Sequence, residues 1–386
     1  MGEFGAGYQR ALVEGRYEAP IDLFDRHLYE KGGLVLHTLR HKLGDEAFWS
    51  GVSAYLKAQS DGTAHTRDLQ QALEQASGRS LERDFSEWVL GVGHPKLKLT
   101  LGWADGLLTL HATQTQSGDR IASCFALTLP VSVELADSTV HHHKLPLNRR
   151  EQALALPSME RPVRVGVDPR FTGLVDLELT APADWLVASL DRDEGVVGQI
   201  RAARALGRSR STRLVDALAT ALHGTGHWSV RSEAAAQLAK VGGDRAQNTL
   251  IEGLQVGCLR TRASVARALG TFRSDAVQHA LQASLVGPPA SLRVHAELAS
   301  AFGRSRAPGA VDVLVPLAAS QTWASLLARK ALEGLGATAD VAAWPALAEA
   351  TTSARTPAVR AAAASGLADL AGQCTAVAAQ TRTLLE

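Results

Sequence analysis

Cysteine is scarce in this chain: Cys124, Cys258 and Cys374 are the only three in 386 residues, and no C-x-x-C pair occurs. That excludes a disulfide scaffold and a cysteine-rich metal cluster, and it points to free thiols in a reducing cytoplasm. Long hydrophobic runs are missing too, since no uncharged apolar stretch reaches the roughly 18 residues that a membrane span needs. The leading MGEFGAGYQRALVEGRYEAP has no apolar core of a signal peptide. Charge of one sign is also lacking: 40 basic residues face 39 acidic ones, which argues against a nucleic-acid groove or an anionic membrane as partner. There is no G-x-S-x-G elbow, no Walker loop and no G-x-G-x-x-G. Nucleophilic-serine and nucleotide chemistry have no carrier here.

What is present is ample core material, 46% hydrophobic, in a chain long enough for two or three domains. Three regimes follow one another. Residues 1–20 are glycine-rich and aperiodic and read as an extended lead-in ending at Pro20. Residues 21–93 read as helices. Leu28, Leu34, Val35, Leu39 and Leu43 share one face of the first, and Gly44 ends it. Asp45, Thr66 and Ser80 are placed to cap the next three. Gly91, Gly93 and Pro95 close the block.

At Lys96 the period changes from 3.6 to 2. KLKLTLGW, GLLTLHATQ, FALTLPVSVEL, EQALALP and RPVRVGVDP alternate apolar and polar residues, with turns such as Ala104-Asp105-Gly106 and Ser117-Gly118-Asp119. A small antiparallel β-sandwich is expected over 96–182. From 183 to the end the text is alanine-rich, helical and repetitive. SVRSEAAAQLAKVGG, RTRASVARALGTF, SLRVHAELASAFGR and AVRAAAASGLADLAG carry Arg231, Arg262, Arg293 and Arg360 at matching places. Helical hairpins that cannot bury their apolar faces alone stack into an α-solenoid, with small alanines letting the helices approach.

The stretch HLYEKGGLVLHTLRHKLGDEAFW holds the most unusual chemistry, Tyr29 followed at once by Glu30-Lys31-Gly32-Gly33. Two adjacent glycines in a helical pattern cost about 1 kcal/mol each, which calls for a close approach to the backbone or a packing reason. Taken with LGDEAF, SGRSL and the tryptophan ahead of GVGHP, in this order and spacing, the block resembles the aminopeptidase N family of zinc gluzincin peptidases. The resemblance implies a multidomain, mainly α fold: the helical end of a thermolysin-like catalytic domain (1–95), a β-sandwich (96–182) and a HEAT-like repeat domain (183–386). It also implies a peptide substrate, and it makes Tyr29 the catalytic residue that hydrogen-bonds the oxyanion. A phenol suits that role, since it keeps its proton at neutral pH and donates to developing negative charge. The alternative for Tyr29 is a helix-face residue packed on its neighbours.

That family holds zinc with an H-E-x-x-H helix, and no His-Glu dipeptide occurs in these 386 residues. The family's glycine-rich exopeptidase motif is absent as well. The expectation is a C-terminal portion, inactive and zinc-free by itself, whose partner is the missing N-terminal catalytic segment. Apolar residues of 21–93 should then be exposed. The alternative function is a non-catalytic HEAT-repeat scaffold with a vestigial peptidase fold. His37 and His41, four apart on a helix, lack an accompanying glutamate and read as a polar helix edge. His141-His142-His143 fall in strand text, where neighbours face opposite ways. His223 and His227 read as loop residues, and Asp191-Arg192-Asp193-Glu194 as a solvated helix start.

Overall fold

The change of period at Lys96 is where helices give way to strands. A computed structural model describes residues 9–118, 120–193, 195–209, 214–286, 291–352 and 354–386. The start of the glycine-rich lead-in, turn residue Asp119 and Glu194 of the acidic run lie outside the described residues. Two units are resolved, Met1–Ala205 and Leu206–Glu386.

The first unit opens with a short 3-10 turn, Pro20–Leu23, and a π turn, His27–Lys31. The helices α1 (Gly32–Leu43), α2 (Asp45–Ala58), α3 (Thr66–Ser77) and α4 (Glu82–Asp84) follow, and a second π turn covers Phe85–Val89. The core is made by Val35 and Leu39 of α1, Phe48 of α2, Leu73 of α3, and Phe85 and Trp88. Phe125, from beyond the first two strands, is fully buried in the same cluster and lies 5.3 Å from Trp88 between ring centres.

The caps differ from expectation. Asp45 gives its carboxylate to Arg40, at 2.7 Å through each oxygen, instead of capping α2. Thr66 is the first helical residue of α3, and the carboxylate of Asp68 accepts the His65 N–H at 2.7 Å instead. In both places a charged side chain outcompetes a single hydroxyl or local carboxylate cap. Ser80 does accept the Glu82 N–H, at 3.4 Å. Gly44 and Gly78 end their helices with positive φ.

Seven strands follow: β1 (Lys96–Ala104), β2 (Leu107–Gln114), β3 (Leu127–Glu134), β4 (Val140–Leu147), β5 (Glu151–Pro157), β6 (Arg164–Val167) and β7 (Asp176–Thr180). They form two sheets, ordered β5-β2-β1-β7 and β4-β3-β6. Alternation does the packing. Leu97, Leu99 and Leu101 of β1 are buried, as are Leu108 and Leu110 of β2 and Leu129 and Val131 of β3. One pairing is not antiparallel: β7 runs parallel to β1, with Leu97 opposite Leu177. β7 arrives from β6 in the other sheet, so no hairpin dictates its direction. Helices α5 (Ala183–Arg192) and α6 (Val196–Arg208) come next.

The second unit is helical: α7 (Val215–His223), α8 (Trp228–Val241), α9 (Gly243–Gly253), α10 (Leu259–Leu269), α11 (Asp275–Val286) and α12 (Leu292–Arg304). The series runs on through α13 (Ala310–Ala318), α14 (Leu326–Ala337), α15 (Trp344–Ala350), α16 (Pro357–Gln373) and α17 (Ala378–Leu385). Every second helix packs on the next such helix, α8 on α10, α10 on α12, α12 on α14 and α14 on α16. Glycine rather than alanine makes the tightest approaches. A Cβ at Gly303 would lie 2.1 Å from the Gly334 carbonyl oxygen, and one at Gly336 would lie 2.6 Å from the Gly366 backbone. Two of the recurring arginines share a task. Arg231 Nε donates to the Leu222 carbonyl at 3.0 Å, and Arg262 donates to the Val256 carbonyl at 3.1 and 2.9 Å. Each covers a carbonyl at or just past the end of the preceding helix, which has no helical partner of its own.

Candidate functional site

The site is assembled around the π turn that carries Tyr29. Asp25 starts it. One carboxylate oxygen accepts the backbone N–H of His27 at 2.8 Å and of Leu28 at 3.1 Å, satisfying donors that the first turn leaves open. The same carboxylate takes a two-pronged ion pair from Arg10, at 3.0 and 2.7 Å, and His27 Nδ1 lies 2.9 Å from its second oxygen. Arg10 is 2% exposed and also donates to the carbonyls of Ala11 and Leu23, at 2.8 Å each. Burial alone raises the Asp25 carboxyl, but the hydrogen bonds from Arg10 and His27 outweigh it and hold the group well below the usual carboxylate range.

Lys31 anchors the far end of the turn. Its side chain is buried, 2% exposed, and Nζ donates to the Gly91 carbonyl at 3.1 Å. Burial, helped by the neighbouring Arg10 charge, lowers its pKa to about 8. The turn is therefore fastened to the lead-in through Arg10 and to the end of the helical block through Lys31. Neither anchor was legible in advance. Asp25, three residues ahead of an apolar helical run, carries a capping signal that could have been found. Arg10 lies in an aperiodic segment and gives no signal at all.

Tyr29 itself is 61% exposed. Its ring lies 6.3 Å from that of Phe24, itself 59% exposed. Ile21, Leu28 and Leu36 are exposed nearby in sequence, and Trp49 and Leu56 on α2. A Cβ at Gly33 would meet nothing within 4 Å, and one at Gly32 only ordinary contacts, Leu12 at 3.7 Å and the His27 carbonyl oxygen at 3.9 Å, so packing within the chain does not call for these glycines. What the arrangement offers chemically is a hydroxyl donor on a braced turn, bordered by exposed apolar side chains. Single π turns of this kind recur at functional sites.

The histidines do not form a metal site. His37 Nε2 is 2.8 Å from the Phe171 carbonyl oxygen, and its ring packs edge-on against His41 with centres 4.5 Å apart. His141, His142 and His143 alternate along β4, and His227 pairs with Ser229 at the start of α8. Among the described residues no group of three or more His, Cys, Asp or Glu side chains could hold a metal ion. These residues do not fit a peptidase zinc. The three thiols are free, and no described helix is long and apolar enough to cross a membrane.

Comparison with known proteins gives two family matches. Residues 11–88 match the peptidase family M1 domain, and residues 183–270 match HEAT repeats. Alanine/arginine aminopeptidase of Saccharomyces cerevisiae is 33% identical over 138 residues, which is 36% of this chain and 16% of that protein. Aminopeptidase M1 of Arabidopsis thaliana is 35% identical over 103 residues, 26% of this chain and 12% of its own length. Aminopeptidase N of Lactococcus lactis is 39% identical over 91 residues, 23% of this chain and 11% of the relative. The chain thus covers 16% or less of each of these three relatives. The crystal structure of Legionella pneumophila aminopeptidase A superposes with a TM-score of 0.59 at 13% identity, over 97% of this chain and 58% of the other. At that identity the likeness speaks for the fold alone.

Proposed function

We propose that this chain, which belongs to the aminopeptidase N family of metallopeptidases, forms the substrate-side wall of a peptide-hydrolysing site. Tyr29 donates its hydroxyl hydrogen to the oxyanion that forms on the scissile carbonyl. The zinc is held by sequence outside these 386 residues, and the 386 residues alone are inactive and bind none. Residues 1–95 are the helical end of the catalytic domain, 96–182 a sandwich and 183–386 the repeat domain. The substrate is a peptide, shortened from its amino end in the cytoplasm.

One observation supports the reading above the others: Tyr29 is 61% exposed on a turn whose supports, Arg10 and Lys31, are each 2% exposed. A donor fixed before the reaction stabilises developing charge without reorganising at that moment, and such a donor is worth about 10²–10³ in kcat. The braced turn supplies the fixing, and the exposed phenol supplies the donor. Ile21, Phe24, Leu28 and Leu36 are the residues that the zinc-bearing segment and the substrate would cover.

The test fuses the zinc-bearing half of a related aminopeptidase ahead of this chain and measures cleavage of aminoacyl chromogenic substrates. Tyr29→Phe keeps the ring and removes one donor. The expected result is a loss of about 10²–10³ in kcat with little change in KM, equivalent to about 3–4 kcal/mol. A Phe variant with more than half of the activity would remove Tyr29 from the chemistry. One tightly held zinc in the unfused chain would overturn the assignment of the metal to other sequence.

A further inference from the structure

A concavity of the first unit is lined by none of the residues of the Tyr29 turn. A cleft of about 540 Å³ runs between the end of α1 and the outer face of the β4-β3-β6 sheet. Its size lies in the range of small-molecule sites. The sheet register explains its surface. Thr128 stands opposite Pro146 and Pro130 opposite Lys144, all on the face away from buried Leu129, Leu145 and Leu147. Two prolines on adjacent strands, with Trp88 and Leu174, give it an apolar floor. Lys42, Arg79, Arg83 and Lys144 supply four cations at its border.

The carboxylates nearby are already engaged. Lys42 pairs with Asp84 at 2.7 Å and Arg83 with Glu87 at 2.6 Å. Asp168, which also lines the cleft, accepts from the Thr172 N–H at 2.6 Å and hydroxyl at 2.7 Å and faces Arg201 at 3.4 Å. His41 is pushed below its usual range by burial and by His37, so it adds little charge at neutral pH. Arg79 donates one bond, to the Lys42 carbonyl at 3.0 Å. Neither Arg79 nor Lys144 has a carboxylate partner among the described residues. Two cations without counter-charge thus border an apolar floor.

We infer that this cleft binds an amphiphilic carboxylate, its apolar body lying against Trp88, Pro130 and Pro146 and its head group held by Arg79 and Lys144. An apolar floor without the cations would accept neutral ligands equally. Cations on a polar floor would hold a bare anion. The combination selects a molecule with both features, and the planar guanidinium of Arg79 matches a carboxylate in two-pronged geometry. The shared chemistry covers a free medium-chain acid and the carboxyl end of a peptide with an apolar last residue.

Calorimetric titration of the full 386-residue chain tests it with decanoate, decanol, and acetyl-Ala-Ala-Leu as free acid or as amide. The expected result is saturable binding of decanoate or of the peptide acid with Kd below about 1 mM. Binding of one acid and not the other supports the proposal and names the source. The uncharged counterpart should bind at least about five-fold more weakly, and Arg79→Ala with Lys144→Ala should erase that preference. Both residues are exposed, so the double variant should fold. Thr128→Trp, which fills the cleft from an exposed strand position, should abolish binding. No saturable binding by either acid, decanol binding as well as decanoate, or undiminished binding in Thr128→Trp would each overturn the proposal.

Discussion

Helix α12 and the turn leading into α1 use apolar residues in opposite ways. In α12 every residue from Val294 to Gly303 is buried, including His295 and Glu297. In α1 only Val35 and Leu39 are, while Leu36 is exposed and Phe24, Leu28 and Tyr29 just ahead of it are exposed as well. The repeat helix is covered on both sides by the next repeats of its own chain, so it has no apolar face left over. The Tyr29 turn is braced by Arg10, Asp25 and Lys31 and keeps Phe24 and Leu28 exposed beside it. Repeats gain stability by stacking, whereas the turn, as the proposed site wall, would keep surface for something else to cover. Changes in the two regions should therefore differ in kind: in the array they disturb packing, at the turn they disturb electrostatics and presentation.

The largest effect is expected in the array. Gly303→Ala places a methyl 2.1 Å from the Gly334 carbonyl oxygen, and because that neighbour is backbone no rotamer change can relieve it. A loss of about 3 kcal/mol or more follows from overpacking. Gly270→Ala, whose Cβ would sit 3.0 Å from the Ala301 Cα, should cost less, about 1–2 kcal/mol. Urea unfolding of the full chain gives the magnitudes, and amide exchange should place the Gly303 loss in α12 and α14. A Gly303→Ala chain within 1 kcal/mol of the parent would show that these helices can shift apart, and the contrast with the turn would lose its sharper half.

The next effect belongs to the turn. Asp25→Asn keeps the shape but leaves the Arg10 guanidinium, 2% exposed, without its counter-charge. Removing one member of a buried pair costs more than the pair itself contributes, so about 2–4 kcal/mol is expected in the first unit. The pH dependence has a fixed sign. Asp25 is held below its ordinary value when folded, so its contribution is present above the unfolded pKa of about 3.9 and is lost as pH falls toward the folded value. The gap between parent and variant should stay level from pH 7 to 5 and close only below about pH 4. A gap that closes near pH 6 would assign the effect to another group.

The two regions also differ in what could be read from their residues. The array was legible because its repeats recur and every helix needs a partner of its own kind. The helical block and the strands were legible because Val35, Leu39, Phe48 and the alternating leucines of β1 bury one face each. Direction and capping were not. β7 lies parallel to β1 because of a crossover between sheets that no local pattern encodes. Asp45 had a capping position but a stronger partner in Arg40. Tyr29, the residue proposed for the chemistry, drew attention through its motif and not through periodicity. The ion pair beneath it joins residues 15 apart, one of them in aperiodic text, and sequence spacing is silent on such pairs.

The smallest effect sharpens the comparison on the side of the turn. Lys31 has its pKa lowered to about 8 by burial and by Arg10, against about 10.4 for an unfolded lysine. Between those values the unfolded chain binds the proton and the folded chain does not, so stability rises with pH across that window. Below pH 8 both states carry the proton and the burial cost is present in full. From pH 7.5 to 9 the first unit should gain about 1 kcal/mol from this group. The amine can keep its hydrogen bond to the Gly91 carbonyl when neutral, so deprotonation need not loosen the turn. Lys31→Met retains the apolar stem and removes the titration. Urea midpoints of parent and variant, taken every half unit across that range, should diverge by that amount, with amide exchange placing the change in the Tyr29 turn and not in α12. Parallel curves would mean that the Lys31 amine reaches water in solution, and the turn would then be braced by Arg10 and Asp25 alone.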